Sequence, residues 1–373
     1  MKILMIDCFL PNSIYTVELC DKLSKNNELI MLSRDNYLGG NRDYIIKPII
    51  HSKSKNLFQA FKLFIKDQKN ILKIVEDFKP DVVHFQGVQH PLIEKHYIKK
   101  IKKHSKVFFT AHNILSHEKK KFEKQALEKY YKNFDGIIVH NETSKKTFLE
   151  HFNYNGDITV IPHGSYDVYA GSNLEIKKRK NDKINFLQFG LIREYKGVDI
   201  LLHAISMLPN DIKEKVKFTI AGFLNRHRYD YDIEKVINDL EIQNIVNLKL
   251  QRIEDDEIPE LFNSCDCCIF PYRHIYGSGA LLMAYTFQKP VIVSEIPTFV
   301  EETNNGATGL IFKHLDASSL SQAIIDFCNK NSEEIKVYKE NIQELVRKKY
   351  NWINSAKLLE AAYKEKVKCY ENV

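Results

Sequence analysis

The chain has no run of 18 consecutive apolar residues, so no helix read from it is long and apolar enough to span a bilayer. Its opening, Met1-Lys2-Ile3-Leu4-Met5-Ile6-Asp7, is too short an apolar run for a secretory signal. The expected location is the cytoplasm or the cytoplasmic face of a membrane. Cysteine is sparse, 7 residues scattered except for Cys265, Cys267 and Cys268. With no paired C-x-x-C array and no histidine partners, these read as packing thiols, and no metal centre is expected. An aromatic RNP-like strand and a helix-turn-helix pattern are also missing. The basic run Lys177-Lys178-Arg179-Lys180 therefore reads as a solvated linker, and no nucleic-acid partner is expected. The net charge of +7, from 55 Lys and Arg against 48 acids, suits anionic ligands or lipid surfaces, and equally solubility alone.

What is present is an ordinary soluble composition, 44% hydrophobic and 28% charged, in 373 residues, which is too long for one α/β core and suits two domains. Short β-rich runs alternate with helical ones throughout. In the first half they are Lys2 to Ile6, Glu28 to Leu32, Val82 to Gln86, Val107 to Asn113, Gly136 to His140 and Ile158 to Pro162. In the second they are Ile184 to Phe189, Val216 to Ala221, Val246 to Leu250, Cys265 to Phe270 and Pro290 to Ser294. Such alternation predicts parallel sheets covered on both faces. Residues 54–77 mix Phe58, Phe61, Phe64, Ile65 and Leu72 with lysines, as one or two basic amphipathic helices, and further basic helices follow at Glu94–Lys103 and Glu118–Lys132. A surface of this kind can dock on anionic lipid or simply be solvated.

Two stretches of the second half carry chemistry. After Phe270-Pro271-Tyr272 comes Gly277-Ser278-Gly279, opening a helical run from Ala280 to Phe287. A helix start at the carboxyl edge of a sheet gathers free N–H groups and the positive end of the helix dipole, which suits a phosphate. Upstream, the run ending at Phe189 meets Gly190, and Arg193 and Lys196 precede a helix at Val198–Met207. A forked, permanent cation beside a movable point charge suits a diphosphate.

The Gly190–Gly197 loop, Gly277-Ser278-Gly279, Lys289-Pro290-Val291-Ile292, Glu301 and Gly306-Ala307-Thr308-Gly309-Leu310 together resemble the donor half of retaining GT-B glycosyltransferases of family 4 (glycosyl transferases group 1). The resemblance implies an α/β GT-B fold of two Rossmann-like domains facing across a cleft. Residues 1–165 would form the acceptor domain, 166–182 a linker, 183–350 the nucleotide-sugar donor domain, and 351–373 a helix returning to the first domain. It implies sugar transfer from a nucleoside diphosphate sugar, UDP or GDP unresolved, to a hydroxyl of a glycan or lipid-linked glycan. Retention of configuration, a role in bacterial surface polysaccharide or glycoconjugate synthesis, and no essential metal go with it. The donor residues would be Gly190, Arg193, Lys196, Arg252, Arg273, Gly277, Ser278, Gly279 and Glu301. His112, past a strand end, would act beside the transferred sugar with Arg193 and Lys196 as the catalytic set, and His84 and His163 rank below it.

The chain also departs from that pattern. The loop after the first strand, through Asp7 and Asn12, has no glycine before Gly39, which puts a phosphate contact there in doubt. Ile275 and Met283 occupy the positions of the family's Glu-x7-Glu carboxylates. Losing the second should weaken nucleotide binding by about 1.5–3 kcal/mol, with Arg273 or His274 as substitutes for the lost contacts. Glu302 could take Glu301's place by a one-residue shift. The alternative reading is a catalytically inactive GT-B subunit that binds glycan or stabilises a partner glycosyltransferase. A nucleotide-sugar epimerase would need acid/base groups, for which only His112 and His84 offer themselves.

Overall fold

The computed structural model describes residues 1–8, 14–34, 42–51, 56–116, 121–170 and 183–371. Residues 9–13 of the first loop, residues 117–120 and the Lys177–Lys180 run lie outside them. The chain forms two compact units, Met1–Gly164 with Tyr350–Val373, and Ser165–Lys349. No helix among the described residues is long and apolar enough to cross a membrane.

The first unit holds seven strands: β1 (Lys2–Ile6), β2 (Glu28–Arg34), β3 (Ile45–Ile50), β4 (Val82–Phe85), β5 (Lys106–Thr110), β6 (Gly136–Val139) and β7 (Asp157–Val160). All pair in parallel, in the order β3-β2-β1-β4-β5-β6-β7. The central strands are apolar on both faces because helices cover both, which is why they read as continuous rather than alternating runs. Strand β3, with Pro48 and Lys47, has no counterpart in the sequence reading. At a sheet edge the missing proline N–H costs no ladder bond. The lysine-rich stretch after it is one helix, Leu57–Phe78, started by Asn56, whose side chain accepts from the N–H of Phe58 at 2.9 Å. It stops at Lys79, held left-handed before Pro80.

The last helix, Trp352–Glu371, completes this unit. Trp352, Ala356, Leu359 and Tyr363 enter a core with Ile3, Met5, Leu19, Phe108 and Ile138. A β-carbon at Gly164 would lie 2.3 Å from the Trp352 indole, so only glycine lets the ring close over that turn. The Ser355 hydroxyl donates to the Pro162 carbonyl at 2.6 Å.

The second unit has six parallel strands, β8 (Ile184–Phe189), β9 (Val216–Ala221), β10 (Val246–Lys249), β11 (Cys267–Phe270), β12 (Val291–Ser294) and β13 (Gly309–Phe312), in the order β10-β9-β8-β11-β12-β13. Strand β11 starts at Cys267 rather than Cys265 because Cys265 caps the helix Ile258–Ser264. Phe186 stacks on Phe218 at 5.0 Å, with Phe327 edge-on, in a core built with Val198, Leu201 and Ile205. Full burial of each such ring contributes about 1.5–3 kcal/mol.

Candidate functional site

Strands β8 and β11 are neighbours, yet the chain leaves β8 toward β9 and leaves β11 toward β12 on the other side. The carboxyl ends of this pair form the topological switch point where open α/β sheets hold ligands. Gly190 closes β8, donating to the Ala221 carbonyl at 3.0 Å, and a β-carbon added there would lie 4.0 Å from that of Ala280 beyond the other strand. Arg193 follows in extended backbone, then a single 3₁₀ turn, Glu194–Lys196, and Gly197. Gly197 is obligatory: its φ is +66°, and a β-carbon there would sit 1.9 Å from the Pro271 carbonyl oxygen.

That tight approach lays Lys196 against the second loop. Its ammonium lies 3.8 Å from the centre of the Tyr272 ring and 5.3 Å from that of Tyr195, a cation held by two aromatic walls. Burial alone moves it, pushing the ammonium down to about 7. No carboxylate among the described residues compensates the charge. On the β11 side, Ser278 caps the helix Gly279–Thr286, its hydroxyl accepting from the Leu281 N–H at 3.2 Å, and Gly277 and Gly279 flank it. The cations and the helix start that the sequence suggested thus lie at adjacent strand ends.

Other residues take different places. Arg273 gives both arms of its guanidinium to Asp199, at 3.0 and 2.7 Å, and also reaches the Glu194 carbonyl at 2.8 Å. It ties the β11 loop to the start of the helix Val198–Ser206, and Asp199 holds its charge firmly. Arg273 thus clamps two loops of this unit together, its guanidinium engaged by Asp199 and the Glu194 carbonyl. His274 is exposed, its ring 5.5 Å from Tyr195. Arg252 projects from the loop after the edge strand β10, with Glu254 at 3.5 Å, two strands from the switch point. Glu301 sits at the end of the helix Pro297–Glu302, half-buried and 3.8 Å from the Lys349 ammonium, and Glu302 is buried. Met283 is buried in its helix, while Ile275 gives its carbonyl to the Thr298 hydroxyl at 2.8 Å.

In the first unit, strand ends gather histidines. His112 follows β5, His140 follows β6 and His163 follows β7, while His84 lies inside β4. Tyr15, from the helix Ile14–Leu23, stands among them, its ring centre 4.8 Å from His112, 5.2 Å from His140, 4.9 Å from His163 and 5.3 Å from Trp352. His112 meets His140 at 3.0 Å and Gln86 at 3.1 Å. Burial depresses the whole group: His84 and His163 to about 3, His140 to about 4, and His112 well below its ordinary value with the other histidines adding repulsion. His84 is internal, bonded to Tyr363 and to the Thr110 hydroxyl. Sequence reasoning picked His112 but missed His140, Gln86 and Tyr15. The only signal of His140 and Gln86 was position just after a strand, and Tyr15, in the first turn of a helix, carried none.

Comparison with known proteins follows the two units. A family model described as glycosyl transferases group 1 matches residues 172–345, and one described as glycosyltransferase family 4 matches residues 13–165. An uncharacterised glycosyltransferase of Methanocaldococcus jannaschii is 24% identical over 61% of this chain and 57% of its own length. Two further relatives from that organism are matched over 66% and 64% of theirs, so the chain spans roughly three fifths of these curated relatives. A GDP-mannose:glycolipid 4-beta-D-mannosyltransferase of Xanthomonas campestris is 27% identical over 36% of this chain and 38% of its own length. Among solved structures, the Anabaena protein HepE in complex with UDP and glucose superposes with a TM-score of 0.76 at 15% identity, over 98% of this chain and all of that one.

Proposed function

The chain belongs to the GT-B glycosyltransferases, and from that premise we propose that it moves a sugar from a nucleoside diphosphate sugar to a hydroxyl of a glycan or lipid-linked glycan. The observation that carries this reading is Lys196, a desolvated cation with no compensating carboxylate among the described residues, at a switch point whose loops also carry Arg193 and the Ser278-capped helix. A diphosphate supplies the missing anion, restores the full charge of the lysine on binding, and is met by growing stabilisation as the sugar–phosphate bond breaks. Gly190, Gly277 and Gly279 let the phosphates approach the main chain. Glu301 serves a donor-sugar hydroxyl, His112 the transferred sugar and Arg252 the nucleotide.

Transfer with retention, by same-face attack assisted by the leaving phosphate, is the family expectation. The β linkage in the name of the mannosyltransferase relative is a specific reason to measure the anomer of the product. Arg193 and Lys196 supply the cationic charge, so turnover is expected to survive chelators. Leu57, Phe58 and Phe61 stand exposed on the helix Leu57–Phe78 with Lys62 over the Phe58 ring, which supports peripheral binding to an anionic membrane carrying a lipid-linked acceptor, as in surface polysaccharide or glycoconjugate synthesis.

The second reading, an inactive subunit that binds glycan or stabilises an active glycosyltransferase, is favoured by one observation: the two carboxylate positions of the family hold Ile275 and the buried Met283. Thermal stabilisation by UDP, GDP, ADP and their sugars separates the two. A nucleotide at 100 times its dissociation constant should stabilise the wild type by about 2.7 kcal/mol, and leave Arg193→Ala and Lys196→Ala unmoved. No shift with any nucleotide removes the donor site and leaves the subunit reading.

A further inference from the structure

The hydrogen bonds of the histidine cluster fix where its protons sit. A carbonyl oxygen only accepts, so the Ile161 oxygen, 3.0 Å from His140 Nδ1, requires a proton on that nitrogen. A neutral His140 then has a bare Nε2, and this nitrogen faces His112 Nδ1 at 3.0 Å. Only a proton on His112 Nδ1 completes the pair. His112 Nε2 is consequently the bare nitrogen of the neutral ring, 3.1 Å from the Gln86 carboxamide. That carboxamide turns its oxygen to His112 and its nitrogen to the Met5 sulfur at 3.1 Å, which suits a protonated ring; a half-turn of the amide within the same outline offers an N–H to the neutral one. Burial favours the neutral ring for both histidines.

Free histidine in water prefers its proton on Nε2, so this chain of partners imposes the less common tautomer. We propose that His140 is a positioning residue that holds His112 with its proton on Nδ1, so that His112 offers Nε2 as an acceptor to a sugar hydroxyl, with Gln86 occupying that nitrogen until the hydroxyl arrives. The Tyr15 ring packs edge-on against His112 at 86°. The tautomer half stands on the hydrogen bonds between rings that burial keeps neutral; the sugar-accepting half rests on the transferase reading.

The test is the set of ¹⁵N shifts of the imidazole nitrogens in the full histidine-labelled chain near neutral pH, with the His112 signals identified by their loss in His112→Asn. The wild type should show a protonated Nδ1 and a bare Nε2 at His112. His140→Ala should move His112 toward the Nε2–H form. His140→Gln, whose amide keeps an acceptor toward His112 and a donor toward Ile161, should retain the wild-type pattern and confirm that any change in the alanine variant is not unfolding. An Nε2–H signal in the wild type, or an unchanged tautomer in a folded His140→Ala, overturns the proposal. Sugar transfer, read separately, should fall on the order of tenfold in kcat for His140→Ala and recover in His140→Gln. Tautomers that respond as expected in a protein that transfers no sugar overturn the sugar-accepting half and the transferase reading together, and leave the tautomer assignment standing.

Discussion

The two units present opposite solutions to placing ionisable groups at the carboxyl ends of a parallel sheet. In the second, one half-buried lysine lies against two tyrosines with no acid among the described residues to compensate it, and Arg193, Gly197 and Ser278 lie in the same two short loops. In the first, four histidines arrive from four different strands or strand ends and are kept neutral by burial and by one another. The lysine site is electrostatically unfinished and suits an anion. The histidine cluster is already satisfied by its own hydrogen bonds, and suits neutral, hydroxyl-rich ligands that exchange one bond for another. Charge is stored in one sheet and direction in the other.

The sharpest way to break this contrast is Lys196→Ala. Under the transferase reading it should lower turnover by about 10²–10³ in a radiolabelled sugar-transfer assay, because the clamp acts on charge that grows as the phosphate leaves. A fall confined to KM would make the lysine a mere tether.

Acid should act on the first unit next. A histidine whose folded pKa lies below its free value binds fewer protons folded than unfolded, so stability is lost as pH falls through about 6.5 and goes on falling toward the folded values of about 3 for His84 and about 4 for His140. Differential scanning calorimetry between neutral pH and about pH 4 should show a drop on the order of several kcal/mol, and His84→Gln should flatten it. An equal slope in that variant would move the acid sensitivity elsewhere.

Arg273→Lys is a smaller perturbation that sharpens the comparison from the other side. It removes the two-armed bond to Asp199 and should cost about 1.5–3 kcal/mol of stability. Nucleotide affinity of the folded protein should change only a few-fold, since the guanidinium is committed within the protein. A loss of nucleotide binding as large as that of Lys196→Ala would return Arg273 to the ligand. The smallest expected effect is that of Leu57→Ser with Phe58→Ser, which should leave thermal stability within about 0.5 kcal/mol while weakening co-sedimentation with vesicles containing anionic lipid. Unchanged sedimentation would remove that helix face as a docking surface.

The two sites were not equally readable. The lysine site lies in two contiguous stretches with local turn chemistry, so Gly190, Arg193, Lys196 and Gly277 to Gly279 stand out as candidates in the sequence, and the parallel sheets follow from alternating runs. Long-range choices were not legible. Nothing local tells that Asp199 takes the guanidinium of Arg273, 74 residues on, or that His140 rather than any other strand-end residue meets His112. Strand β3 escaped because Pro48 argues against a strand unless its edge position is known. Tyr195 and Tyr272 carry no local signal of a site, and only the close approach at Gly197 makes them the walls of a cation site.

The helix Trp352–Glu371 also sets an order of events during synthesis. The core of the first unit needs Trp352, Leu359 and Tyr363, yet the ribosome makes them only after the whole second unit. The amino-terminal sheet must therefore wait, its groove beside Ile3, Leu19 and Phe108 uncovered and His84 without its tyrosine, while the later-made unit folds to completion first. A chain cut back to before residue 350 would leave that groove uncovered and should be less stable in the first unit than in the second.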